Sequence, residues 1–194
     1  MLEQCPPSLA RADWLAEELP HCWLEAYTAM GERIKNVLRV VHGTFTYFFD
    51  HATDADGLIS PVGAVEGRLV GVLGTSGPML RRREASRLRG WIGATERYLG
   101  ARRDKGHFIA QSIGGIIDGA EINVFVQSRE LNRGWSEDGK RFRKMETYCA
   151  KHPGTFCFAR PTYIDQTSRP ATIEFGILKP DGKLWVEEFS NLLR

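Results

Sequence analysis

Residues 104–135 read DKGHFIAQSIGGIIDGAEINVFVQSRELNRGW, and with Met145-Glu146 they hold the densest chemistry of the chain. A histidine beside a glycine, as in Gly106-His107, means little alone, because the default for a lone histidine is a core or surface side chain. The information lies in the company it keeps. Asp104-Lys105-Gly106-His107 is followed by Asn123-Val124-Phe125-Val126-Gln127, then by Leu131-Asn132-Arg133-Gly134, then by Glu146. Together these elements are more specific than any one of them alone.

On the N-terminal side the pattern is helical at first. Ser8 can cap a segment with Leu9, Ala12, Leu15, Ala16 and Leu19 at helical spacing, which Pro20 should stop. His21 to Val41 repeats the spacing through Trp23, Tyr27, Met30, Ile34 and Leu38, so a helical extension is expected over residues 1–43 and the main domain over 44–194. Thr44–Asp50 is aromatic and β-branched, favouring a strand. Asp54–Gly57 reads as a turn, Leu58–Leu73 as two apolar runs, and Gly71, Gly74 and Gly77 as a loop that no Gly-Lys-Ser/Thr follows, so it is not a P-loop. Arg81–Leu99 is helix-compatible. On the C-terminal side Thr155–Tyr163 is strand-like, and Thr172–Leu178 and Leu184–Phe189 flank Pro180-Asp181-Gly182 as a hairpin. Helices, strands, a mixed centre and strands again argue for an α+β fold with a mixed or antiparallel sheet and flanking helices.

The chain has 194 residues, 42 % hydrophobic and 26 % charged, which suits one globular domain able to bury a core without disulfide or metal staples. No apolar stretch is long enough to span a bilayer, so no membrane partner is expected. Cys5, Cys22, Cys149 and Cys157 form no CxxC pair; Cys149, His152 and Cys157 have a zinc-like spacing but lack a fourth ligand, and ordinary side chains are the expectation. The first residues contain no basic stretch followed by an apolar one. The expectation is therefore a cytoplasmic protein or one exported by a non-Sec route. Formal charge is only +2, yet the window Arg81–Lys105 holds nine basic and three acidic residues. A basic segment on a near-neutral chain is an electrostatic footprint for a polyanion or a solvated helix face.

With those four elements side by side, the chain resembles the DNA/RNA non-specific endonucleases, whose signature is Asp-Arg-Gly-His, an Asn-x-x-x-Gln element, Leu-Asn-x-Gly and a glutamate on the next helix. Phe45-Thr46-Tyr47, Arg169-Pro170 and Phe189-Ser190-Asn191 resemble the family's β-rich frame, so the likeness runs from about Thr44 to Asn191. It implies an active site of the ββα-metal finger type. Two departures stand out. Lys105 replaces the usual arginine, keeping charge but losing the planar fork that grips phosphate, and the gap from Asn132 to Glu146 is longer than usual.

The resemblance implies a role for each residue. His107 is the general base for the attacking water, Asn132 the ligand of Mg²⁺ (with Mn²⁺ able to substitute), and Glu146 the group that orients waters around the ion. Asp104 orients the loop or contacts those waters, with capping of the loop as the alternative. Lys105 and Arg133 are the candidates for phosphate contact. A transition-state arginine is sought among Arg68, Arg87 and Arg143. Asn123 and Gln127 are expected to hold the backbone together, and Trp135 to lie in the core. The implied activity is Mg²⁺-dependent hydrolysis of DNA, with RNA as an open second substrate and weak sequence preference. Family habit adds a toxin or effector role with a cognate immunity protein as partner. The rivals are a housekeeping nuclease and a nucleic-acid-binding module on the same scaffold that no longer cleaves.

Overall fold

Alternation sets the sheet. In β2 (Phe45–Asp50) Phe45, Tyr47 and Phe49 point one way, and in β7 (Thr172–Leu178) Ile173, Phe175 and Ile177 do the same; all six are essentially inaccessible to solvent. One face of a pleated strand is thereby apolar and must be covered. The computed structural model describes residues 11–30, 36–51, 67–79, 100–116, 122–165 and 167–192. It is an α+β fold. The strands β1 (Val37–His42), β2, β3 (Arg68–Thr75), β6 (Phe156–Thr162), β7 and β8 (Leu184–Ser190) form one six-stranded sheet in the order β1-β2-β3-β6-β7-β8, every described pair antiparallel. A separate two-stranded ribbon pairs β4 (Arg103–His107) with β5 (Val124–Ser128). Helices α2 (Arg129–Arg133) and α3 (Glu137–Lys151) follow the ribbon directly.

The central strands are buried on both faces. On one side Leu15, Trp23 and Tyr27 of α1 (Arg11–Ala29) pack on Val70, Leu73, Phe156, Phe158 and Tyr163. On the other, Phe142, Met145 and Cys149 of α3 and Phe108 and Phe125 of the ribbon join the aromatic faces of β2 and β7. Phe142 meets Phe175 and Phe189 edge to face, at 5.6 and 5.1 Å between centroids. Asn191 bridges the two β assemblies: its Oδ1 accepts from the Ser128 N–H at 2.7 Å, and its Nδ2 donates to the Val126 and Pro170 carbonyls at 2.9 and 2.8 Å.

Three sequence expectations need correction. Pro20 does not end the first helix; α1 continues through it to Ala29. Proline removes one helical hydrogen bond, but Leu15, Trp23 and Tyr27 lie on one face either side of it, and burial of that face against the sheet outweighs the loss. Nor are residues 37–41 helical. Val37–His42 is the edge strand β1, whose β-branched valines pair with β2 across Gly43-Thr44; Gly43 takes a left-handed φ of +59°, and the expected boundary at residue 43 falls inside this hairpin. Gly71 and Gly74 belong to β3 rather than a loop. The turn at Asp54–Gly57, the first apolar run after it and the helix at Arg81–Leu99 lie outside the described residues.

Gly71 sits where α1 crosses the sheet. A Cβ there would lie 2.3 Å from the Trp23 ring, on a rigid aromatic that cannot yield cheaply. Gly71→Ala should therefore push α1 off the sheet and lower stability by about 1–3 kcal/mol in a urea titration; an unchanged midpoint would show that Trp23 is not anchored there.

Candidate active site

In the ribbon, Asp104 pairs with Gln127, Gly106 with Phe125 and His107 with Val124. The chain then leaves β4 through Phe108-Ile109-Ala110, and this exit is pinned by Asn123. The Asn123 carboxamide accepts from the Ile109 N–H at 2.9 Å and donates to the Ile109 and Ile116 carbonyls at 2.9 and 2.8 Å. Phe108 stacks on Phe125 beneath it, 4.2 Å between centroids. His107 is thus held at the end of a strand whose next residues are fixed by side-chain hydrogen bonds and ring packing.

The α2 helix places Asn132. It ends at Gly134, whose φ of +69° favours glycine, and Ser136 caps α3 by accepting from the Gly139 N–H at 3.0 Å. Along α3, Phe142, Met145 and Cys149 are buried in the core, while Arg143, Glu146, Thr147 and Ala150 line the adjoining cleft. Spacings of three and four residues put these two sets on different sides of one helix. The cleft has a volume of about 670 Å³, and His107, Gln127, Asn132, Arg143 and Glu146 share its lining.

Asp104 is the organising charge. Its carboxylate accepts from Arg129 Nε at 3.0 Å, Arg133 Nε at 2.7 Å, Arg133 Nη2 at 3.2 Å and Asn132 Nδ2 at 3.3 Å. Burial works against its ionised form, but the hydrogen bonds from Arg133, Arg129 and Asn132 outweigh it and hold the carboxyl below its ordinary range. The Asn132 bond has a directional consequence. With Nδ2 on Asp104, the amide's acceptor oxygen is the atom left for a ligand. The Asn132 backbone carbonyl accepts from Arg143 Nη2 and Nε at 3.3 and 3.4 Å, and a Cβ at Gly134 would come within 2.7 Å of Arg143 Cδ. Glu146 shows the opposite electrostatics to Asp104. Burial pushes its carboxyl up to about 7, with Arg143 pulling the other way.

The structure brings His107, Asn132, Glu146 and Arg143 to one cleft and leaves other candidates outside its lining. Arg133 is engaged by Asp104, its guanidinium 5.1 Å over the Trp135 ring. Lys105 is half-buried on β4 and does not line the cleft. Arg68 is buried elsewhere, donating to the Thr167 and Asp165 carbonyls; Arg87 lies outside the described residues, as does most of the basic window. Trp135, expected in the core, is instead 62 % exposed, because Gly134 turns the chain outward before α3 begins. Cys149 and Cys157 are buried against each other, and His152 bonds the Tyr148 carbonyl at 2.8 Å at the surface. Among the described residues no cluster of three or more His, Cys, Asp or Glu side chains could hold a metal. Sequence reasoning missed the contribution of Gln127, which it read as a backbone strut; Asn123 has that role, and Gln127 faces the cleft. No known family model matches the chain, and no curated protein matches it at a significant level.

The Glu146 shift makes stability depend on pH. In the unfolded chain this carboxyl ionises near an ordinary 4.5, in the fold near 7. The associated stability is full below about 4.5, declines as pH rises, and is lost above about 7. Glu146→Gln should flatten that part of the stability–pH curve, a change on the order of 1–2 kcal/mol once solvent at the cleft is allowed for. Urea melts between pH 4 and 8 read it, and parallel wild-type and variant curves would remove the burial argument.

Proposed function

We propose that the chain is a metal-dependent, non-specific endonuclease that hydrolyses phosphodiester bonds of DNA, with β4, β5 and α3 acting as a ββα-metal finger. The observation that carries this reading is that His107, Asn132 and Glu146, far apart in sequence, line one cleft. RNA presents the same linkage and is a second substrate on the same grounds.

The donor set fits a hard divalent cation. Asn132 offers an amide oxygen whose orientation is fixed by Asp104, and Glu146 offers a carboxylate whose ionised form is costly without a nearby positive charge. Mg²⁺ accepts few protein ligands and retains waters, so a large cage of acids is unnecessary; Mn²⁺ can take its place. When bound, the ion would neutralise charge accumulating on the phosphate during hydrolysis.

The chain's own residues supply the rest. His107 takes the proton of the attacking water, a task for which an imidazole near neutral pH is suited. Asn132 would hold the cation through its amide oxygen, and Glu146 would orient the waters around it. Asp104 keeps Asn132 in place through α2. Arg143 and Lys151, also in the cleft lining, add positive charge toward a polyanion. Contacts of this kind read the phosphate backbone, which is the same at every base, and so give affinity without sequence preference.

Supercoiled plasmid should be nicked in Mg²⁺ and left intact in EDTA. His107→Ala should lower the rate by about 10²–10⁴-fold, and Asn132→Ala should weaken the response to Mg²⁺. Cleavage that survives EDTA, or full activity of His107→Ala, would overturn the reading. DNA binding by the wild type with no cleavage at any Mg²⁺ concentration would select a non-cleaving nucleic-acid-binding module instead.

A further inference from the structure

Asn123 and Gln127 stand four residues apart in one motif and have opposite fates. Asn123 is completely buried and its carboxamide makes three hydrogen bonds to backbone. Gln127 is 1 % exposed, yet its Nε2 is enclosed and has no hydrogen-bond partner among the described residues. An enclosed amide donor left in that condition costs about 1–3 kcal/mol. A methionine or leucine would fill the same space without the penalty, so the carboxamide is not explained by packing.

Its seat is built for it. Gly106, the glycine of Asp104-Lys105-Gly106-His107, lies against the Gln127 side chain: a Cβ at position 106 would sit 2.1 Å from Oε1, 2.6 Å from Cβ and 2.8 Å from Cδ. Any other residue at 106 would evict the carboxamide. Gly106 has no positive φ that would call for glycine on backbone grounds; close approach of Gln127 is the reason for it. Gln127 lines the same cleft as His107 and Asn132, with its Nε2 covered by neighbouring atoms.

We propose that Gln127 is a phosphate-binding residue: a rotation of its side chain toward the cleft uncovers Nε2, which then donates a hydrogen bond to a non-bridging oxygen of the phosphodiester lying between His107 and Asn132. The inference rests on the nuclease reading. A neutral donor suits this position because it completes the coordination of an anionic oxygen without adding a cation that would compete with the metal. An anionic acceptor also makes the bond stronger than one between neutral groups, which offsets the cost carried by the empty-handed donor in the unliganded fold.

The test uses Gln127→Met and Gln127→Glu in the full chain, with three readouts: thermal melting, steady-state cleavage of a short DNA duplex in Mg²⁺, and binding of that duplex in EDTA by fluorescence anisotropy. Gln127→Met should melt at or above the wild-type temperature while kcat/KM falls roughly 10- to 100-fold. Gln127→Glu should fall further, because its carboxylate repels phosphate, and both should bind the duplex more weakly in EDTA. A lower melting temperature for Gln127→Met with unchanged kcat/KM and unchanged DNA affinity would make Gln127 a structural strut and overturn the proposal. Failure of the nuclease reading looks different: the wild type itself would not cleave. Wild-type cleavage that His107→Ala abolishes and Gln127→Met leaves intact would sink the Gln127 role alone.

Discussion

One carboxylate holds the candidate site together. Asp104 stands on β4 and receives donors from three residues of α2, Arg129, Asn132 and Arg133. A five-residue helix has little stability of its own, so α2 is held against the ribbon by its contacts, with Leu131 buried in the core and Asp104 receiving its polar side chains. The same contact turns the Asn132 amide so that its oxygen is the atom left to serve a ligand. Removing the carboxylate would strand two guanidinium groups next to each other, and loss of one partner of a partly buried ion pair costs more than the pair itself is worth.

This arrangement divides the positive charges into two groups. Arg129 and Arg133 pair with Asp104, and Arg129 also donates to the Arg103 carbonyl at 3.1 Å. Arg143, further along on α3, reaches past Gly134 to the Asn132 carbonyl and into the cleft. It also tempers the desolvation of Glu146 three residues on. The α3 helix thereby joins two kinds of physics. Its Phe142, Met145 and Cys149 are part of the aromatic core, and the turns between them display the ionisable groups. The packed side is rigid, and that keeps the cleft-lining groups on the other side within narrow positional limits.

Much of the sheet was legible because its strands carry alternation and its turns carry glycine. The β7–β8 hairpin around Asp181-Gly182 and the aromatic strand β2 are examples. The first helix was legible at its start but not in its extent, because burial of Trp23 and Tyr27 beyond Pro20 is a tertiary effect that local propensity does not contain. Strand β1 was hidden for a similar reason: its valines fit a helical count as well as a strand, and only pairing with β2 decides. In the site, His107, Asn132 and Glu146 could be picked out as a pattern, since residue type and order carry chemistry. Which of Asn123 and Gln127 is a strut and which faces the cleft could not be read, because both are amides four residues apart. The engagement of Arg133 by Asp104 and the exposure of Trp135 depend on the turn at Gly134, whose direction is a matter of three-dimensional placement.

The seam between the ribbon and the large sheet has a further consequence. Among the described residues the two share no ladder of main-chain hydrogen bonds; they meet through apolar side chains and the bridging amide of Asn191. Ladders transmit register from strand to strand, whereas oily layers transmit little beyond shape. Between the far rim of the sheet and the imidazole and carboxamide, coupling therefore runs through side-chain packing and the Asn191 amide rather than through strand register. The ribbon with α2 and α3 is thus a unit whose join to the large sheet is an oily floor and one amide.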